Sequence, residues 1–473
     1  MLLNICRGKS TGVFQPEFRN QLLTTLSVTI ITLCHGINLG WLSPMLPKLQ
    51  ETSDTPVEFI INVEEASWIG SLLSVGGITG NIFYGLLLER VGRKTCIFLL
   101  AFPNMCLWVM IYFAQSIEYL YIARFFGGMT GGGVYIVIPI FISEIADSTI
   151  RGRLSSLFAL TLNTGVLVGF IVSSHVNYHL VPCIIITLPI LYLVLATLYP
   201  ETPQHLLRRG RDEQAKESFK FYRNFKSTSK EDFQKFNADF IDLRTAITQQ
   251  KSEHQDVGVR DFCTKRSLKA FSSGIILLAL CMFAGQFAII NYMSSIFALT
   301  KSEIHPDTNT IIIGVVQIIG TYAATNLVDR YGRKILLIVS SGGMGVGLAL
   351  FGMYAFYAEE TDADLSNYSW WLPLSLMALI IFISNVGVNS ITFVVLVEIM
   401  PPRIRSVAVT LCLSILCFFA FILLKIFPIF MATFGLSATM WFCATVCAFG
   451  LFYITIFIPE TKGKSMDKDD DEE

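Results

Sequence analysis

Long uncharged runs alternate with short charged turns along this 473-residue chain. Ala66–Leu88, Thr95–Ile117, Thr308–Val328 and Ile335–Ala358 contain no Asp, Glu, Lys or Arg. About 20 apolar residues cross a hydrocarbon core as a helix, so each run predicts one membrane span. Leu154–Pro200 is uncharged over 47 residues and predicts two spans joined by a tight loop near His175–His179. Divided in this way, the chain has six helices before a polar centre and six after it. They start near Gln21, Ala66, Thr95, Tyr119, Leu154 and Tyr178, then Ala270, Thr308, Ile335, Trp370, Ser406 and Thr433. Gln21–Pro47 is longer than the apolar core of a signal peptide and has no small-residue cleavage site, so it is read as the first span. The expected fold is an all-α membrane protein of twelve transmembrane helices in two pseudo-symmetric six-helix bundles, residues 21–200 and 270–459. Residues 1–20 form an N-terminal segment, 201–269 a helical linker, and 460–473 an acidic tail.

The linker is the one soluble-looking region. Phe233, Phe236, Phe240, Leu243 and Ile247 recur at three- and four-residue intervals, as do Ala215, Phe219 and Tyr222. That spacing predicts short amphipathic helices, packed on the bundle or offered to a membrane surface or partner.

The two halves repeat each other in their turns. Glu89-Arg90-Val91-Gly92-Arg93-Lys94 returns as Asp329-Arg330-Tyr331-Gly332-Arg333-Lys334. Glu144 and Arg151 answer to Glu398 and Arg405, and Pro200-Glu201-Thr202 answers to Pro459-Glu460-Thr461. The offsets are 240, 254 and 259 residues, which reads as one bundle duplicated in tandem. An acid beside each basic cluster lets a charge network close across the end of each half. Water-exposed pairs contribute only ~0–1 kcal/mol each, so several together bias two states without locking either.

Charge then sets orientation. The turns after the second, fourth, eighth and tenth helices carry ten Lys or Arg, against Lys48 and Lys301 in the opposite turns, with Lys425 near a helix end. By the positive-inside rule the repeated turns, both termini and the linker face the cytoplasm. The opposite loops are acidic (Glu51, Asp54, Glu58, Glu64, Glu65; Glu359, Glu360, Asp362, Asp364) and contain one glycosylation sequon, Asn367-Tyr368-Ser369. Hydrophobic residues make up 53% and charged residues 15%, against roughly 45–50% and about 25% in soluble proteins. Net charge is −1, which gives no case for nucleic acid. Most of the eleven Cys sit in apolar runs without metal or redox spacing, and there is no nucleophile–base pair or phosphate loop. No cofactor and no enzyme are expected; the expected partners are the lipid bilayer and a small solute, and the sequence sets no oligomeric state.

These motifs resemble those of a sugar porter of the major facilitator superfamily, in the facilitated trehalose and glucose carrier branch, over essentially the whole chain. The carriers of the resemblance are E-R-V-G-R-K and D-R-Y-G-R-K, Arg124 with Gly127–Gly133, P-I-F-I-S-E-I-A with Arg151-Gly152, P-E-T-P and P-E-T-K-G-K-S. It implies alternating access at the plasma membrane. It also implies a cytoplasmic network of Glu89, Arg90, Arg93, Glu144, Arg151, Glu201, Asp329, Arg330, Arg333, Glu398, Arg405 and Glu460 that forms when the carrier opens outward and breaks when it opens inward. Arg124 lies inside an apolar stretch, where an unpaired charge is costly. In proton-coupled relatives a carboxylate on the first helix partners this arginine; here the first helix has no acid, only His35, so facilitated diffusion is favoured over proton coupling.

The family's sugar ligands are partly replaced. Its Gln-Gln pair is Cys281-Met282, an Asn is Phe287, an Asn-Trp pair is Leu416-Cys417, and the tenth helix reads Asn389-Ser390-Ile391-Thr392-Phe393 without its usual prolines. Those prolines let the helix flex, and Thr392 and Pro401-Pro402 are no evident substitutes. The substrate-binding candidates are Gln317 and Tyr292, which match family positions, then Gln286, Asn291, Asn163 and Asn389, with Phe393 covering the ring. Intramembrane amides also serve as interhelical glue. The expected function is transport of a sugar or sugar-like neutral solute. The alternatives are a transporter-like sensor or scaffold without flux, or a proton-coupled carrier of a non-sugar solute.

Overall fold

The computed structural model describes residues 15–51, 56–225, 229–253, 259–262, 264–300, 302–360, 369–401 and 404–460. Lys301, Asp54, Asp362, Asp364, Asn367, Arg403 and the acidic tail lie outside these, as do the side chains of Asp329, Glu359 and Glu360.

Among the described residues ten helices are long and apolar enough to span a membrane, and Leu180–Ala196 is a shorter apolar one. The longest, Arg405–Phe457, is two spans divided at Gly435, whose backbone leaves the helix at φ 86° and ψ 166°. The total is the expected twelve. In order, the first five are Arg19–Gln50, Val63–Val91, Arg93–Tyr112, Ile117–Ile145 and Arg151–His175, with Leu180–Ala196 as the sixth. The seventh to tenth are Lys265–Leu299, Pro306–Tyr331, Arg333–Glu360 and Leu372–Ile399, the first and last of these interrupted. Asn62 opens the second span with a reciprocal cap: its Oδ1 accepts from Glu65 N, and Glu65 Oε2 from Asn62 N, both at 2.8 Å.

Within the first half the glycines let backbones touch. A Cβ on Gly128 would stand 1.8 Å from Leu73 O, which fixes the fourth span against the second. A Cβ on Gly165 would stand 2.3 Å from Leu33 O, which does the same for the fifth and first. With little hydrophobic drive between helices in lipid, such close approach is what joins them.

The seventh span is broken at Gly285 (φ +92°) and again at Tyr292, giving Lys265–Phe283, Gln286–Asn291 and Met293–Leu299. The tenth is broken at Gly387 into Leu372–Val386 and Val388–Ile399. Loss of its prolines therefore does not leave this helix without a discontinuity, contrary to the expectation from sequence. Ser340 of the ninth span bridges the break: its Oγ accepts from the freed Val388 N at 3.0 Å and donates to Ile383 O at 2.7 Å, which also accepts from Gly387 N at 3.3 Å. A Cβ on Gly387 would lie 2.2 Å from that serine's Cβ, so only glycine fits.

Among the described residues, four helices run between the halves, Pro203–Arg208, Asp212–Tyr222, Lys230–Glu253 and Val259–Phe262. Leu206, Leu207, Ala215, Phe219, Phe236, Phe240 and Ile247 bury one another there, while Phe233 stays exposed beside Lys216. The group sits on the first half: Tyr222 joins that half's core and donates to Pro200 O at 2.7 Å, Asn20 donates to Phe221 O at 2.7 Å, and Arg223 pairs with Asp147.

Candidate functional site

At the basic end of the first half, Gly92 turns the chain at φ +100° and brings the first backbone N–H groups of the third span toward Glu201. Glu201 Oε1 accepts from Arg93 N at 3.2 Å, its Oε2 from Lys94 N at 3.0 Å, and Thr202 N adds a third donor at 2.9 Å. A carboxylate at a helix N-terminus also meets the positive end of the dipole. Burial nevertheless pushes this carboxyl upward, against those donors and the Arg93 charge.

The Arg93 side chain is buried at 1% exposure, and so is its partner Glu144 at 5%. Their closest approach is 2.9 Å, and Arg93 also reaches Glu89 Oε1 at 3.0 Å and Leu88 O at 3.2 Å. The inner pair is thus not the water-exposed contact expected from sequence; the linker helix Pro203–Arg208 roofs it. Three residues of that roof hold the pair. Thr202 Oγ1 donates to Glu144 Oε2 at 2.6 Å, His205 Nδ1 accepts from Arg93 Nη1 at 2.8 Å, and Arg208 lies 3.6 Å from Glu89. Thr202 ahead of Pro203 is a legible helix cap, and His205 follows one turn on. Burial first, then Arg93, lowers the His205 pKa to about 4, so it is neutral and free to accept.

The second half repeats the device. Gly332 turns at φ +85°, and Glu460 accepts from Arg333 N at 3.1 Å and from Lys334 N at 3.2 Å. Arg333 meets Glu398 at 3.2 Å. Arg90, Arg151 and Arg330 stand exposed at the same end, and Arg405 donates to Met400 O at 3.2 Å. Among the described residues, the bonds of Arg93 end in the first half or the linker packed on it, and the side chain of Arg333 meets Glu398 of the second half.

Toward the middle and the other end, bonds run between the halves. Gln317 donates to Asn163 Oδ1 at 2.5 Å, and Asn163 donates to Thr321 Oγ1 at 2.8 Å, so Asn163 has both ends occupied. Asn81 of the second span reaches Cys417 of the eleventh at 3.5 Å. Gln286 accepts from Ser384, Asn291 donates to Phe287 O at 2.7 Å, and Asn389 donates to Asn385 Oδ1 at 3.1 Å. Four atoms of this amide set are buried without a protein partner: Gln286 Nε2, Asn291 Oδ1, Gln317 Oε1 and Asn81 Oδ1. They are one donor and three acceptors, the complement of hydroxyl groups. Tyr292 stacks on Phe427 at 5.8 Å, donates to Leu424 O at 2.8 Å and presses on Gly70 of the opposite half. Phe393 packs among helices of its own half, beside Leu396, Met400 and Cys412.

Arg124 is fully buried and has found neutral acceptors: Nη1 bonds Asn38 Oδ1 at 2.7 Å and Asn38 O at 2.9 Å, and Nε bonds Ile69 O at 3.1 Å. Asn38, on the first span, is the partner the sequence search for an acid passed over. His35, one turn earlier, packs edge-on to Tyr135 and against Gly131.

Two like halves, each with its own acid–base rim and meeting across a buried amide set, define a multi-pass membrane carrier. Residues 25–471 match the family model for "Sugar (and other) transporter". The facilitated trehalose transporter Tret1 of Polypedilum vanderplanki is 31% identical over 448 residues, covering 95% of this chain and 87% of that one. Tret1 of Bombyx mori is 30% identical, covering 95% and 86%. The inward open conformation of the E. coli xylose transporter XylE superposes with a TM-score of 0.75 at 20% identity, covering 94% of this chain and 97% of that one. The chain belongs to the sugar transporter family; it is a transporter and not an enzyme.

Proposed function

We propose that this protein carries a sugar or sugar-like neutral solute down its gradient by alternating access, with both termini and the linker on the cytoplasmic side of the plasma membrane. The arrangement of charge carries the reading: two like acid–base rims at one end, in which Arg93 pairs with Glu144 and Arg333 with Glu398 of the same half, and, among the described residues, bonds between the halves toward the middle and the other end. Such a molecule rests with one mouth shut and exchanges mouths by rocking the halves. Family resemblance suggested that the rim clusters break when the carrier opens inward. The pairing of Arg93 with Glu144 and of Arg333 with Glu398 supports a different division, in which those bonds keep each half rigid and cross-half pairing changes between states.

The relatives named for trehalose and xylose transport support a sugar, and the unpartnered atoms of Gln286, Asn291 and Gln317 supply hydroxyl-directed groups. Among the described residues Arg124 bonds the amide and carbonyl oxygens of Asn38 and Ile69 O, none of them a carboxylate that could carry a proton, which supports facilitated diffusion. We expect selectivity to differ from that of a pocket with the full amide set. Cys281, Met282, Phe287 and Leu416 stand at positions where the resemblance leads one to expect amides or tryptophan, and with Val388, Ala420 and Phe419 they form one apolar cluster.

That cluster also favours a second reading, a ligand sensor without flux. Uptake into proteoliposomes across hexoses, disaccharides and polyols separates them. Saturable, gradient-driven flux abolished by Arg93→Ala and Arg333→Ala is the expected result; ligand-dependent thermal stabilisation with no flux would establish the sensor instead.

A further inference from the structure

Two lysines on the side opposite the basic turns cross from one half to the other, in opposite senses. Lys48, near the end of the first span, donates to Ser173 O at 2.8 Å and Ser174 O at 3.1 Å, the last carbonyls of the fifth span, and lies 3.9 Å from Asp307 of the eighth. Asp307 is held for it: its Oδ1 accepts from Ser294 Oγ at 2.7 Å, and Ser294 N donates across the halves to Ser43 Oγ at 2.9 Å. Lys425, on the eleventh span, donates to Ser67 Oγ at 2.8 Å and sits 4.0 Å above the Trp68 ring, both on the second span. Between the two lies a cavity of about 270 Å³ lined from both halves, by Leu46, Gln50 and Ala66 on one side and Tyr292, Pro428 and Met431 on the other.

We propose that Lys48 and Lys425 are reciprocal straps that hold this mouth shut and set how long the carrier dwells in the state seen here. The inference rests on the alternating-access reading. Each cation loses its partner when the halves part, so each contributes to one state and not to the other, which is the condition for shifting a two-state equilibrium. Lys48 uses charge steadied by helix-end carbonyls; Lys425 uses a hydrogen bond and an aromatic face. Neither is a positively charged loop residue left on the wrong side of the bilayer. Both are positioning residues for the transport cycle and touch no solute.

Ala66→Cys places a thiol in the closed mouth, where Ala66 is 3% exposed, and its reaction with a membrane-impermeant maleimide reads mouth opening, with the Ala66 protein correcting for native cysteines. Removing either strap by Lys48→Gln or Lys425→Gln is expected to speed labelling about three- to tenfold, the size of one modest ionic or cation–π contact. Lys48→Arg and Lys425→Arg should keep it slow, and Asp307→Asn should speed it while leaving the serine carbonyl contacts in place. The Gln variants should also shift the ratio of half-saturation for uptake and efflux. Labelling unchanged in Lys48→Gln, Lys425→Gln and Asp307→Asn, with saturable flux intact, overturns the straps. Absence of saturable flux in the unsubstituted protein overturns the carrier reading on which they rest.

Discussion

Asn38 shows how one atom sets the chemistry of a buried charge. Its Oδ1 stands 2.7 Å from Arg124 Nη1, so Asn38→Asp would place a carboxylate in contact with the guanidinium without changing shape. An ion pair formed there would have a protonation state to couple to. Uptake by Asn38→Asp is expected to become dependent on external pH, where the native carrier is flat; identical pH profiles would count against the neutral-amide account. His205 makes a second residue-level prediction. Its native pKa of about 4 lies below the ordinary 6.5, so above 6.5 native and unfolded states bind equally few protons at this site. As pH falls from 6.5 toward 4 the unfolded chain takes up the proton first, and stability is lost across that window. Glu201, raised by burial, acts in the opposite direction over the carboxylate range. The melting temperature in detergent should therefore fall less on mild acidification in His205→Gln than in the native protein.

At the scale of the element, the broken tenth helix depends on one serine and one glycine. Ser340→Ala strands Val388 N in a water-poor interior, at about 1–3 kcal/mol, and leaves Ile383 O only its bond from Gly387 N, while Gly387→Ala forces a Cβ onto Ser340. Both should lower the melting temperature, and if the break is also a hinge they should slow turnover more than they alter half-saturation. The basic turns behave similarly. Arg93 is buried with several partners, so Arg93→Ala leaves Glu144 nearly enclosed and should cost about 3–5 kcal/mol. Arg333 is 19% exposed and Glu398 12%, so the matching substitution should cost less, as comparative thermal unfolding would measure.

For the whole molecule, the twelve spans and their division into two like halves could be read from where charge is absent and where acid–base turns recur. Lipid tolerates few charges, so span positions are written locally in the sequence. The candidate site was less legible. Gln317 and Asn163 were recognisable as polar residues in apolar runs, but not that they bond each other across the halves. Lys48 and Lys425 looked like exceptions to a charge rule until their partners, 259 and 358 residues away in the chain, came into contact. Loss of prolines from the tenth helix suggested a stiffer rod, because the compensating serine lies on another helix.

By itself, then, the sequence determined the solvent this protein lives in, its number of crossings, its internal duplication and the acid–base character of its turns, since each follows from residue types within a helix length of one another. Only the tertiary structure decided which amides are spent on each other and which keep a free atom, which neutral oxygens Arg124 bonds, and which lysines bridge the two halves. Those outcomes depend on directional contacts of about 3 Å between distant segments, and distance along the chain carries no record of them.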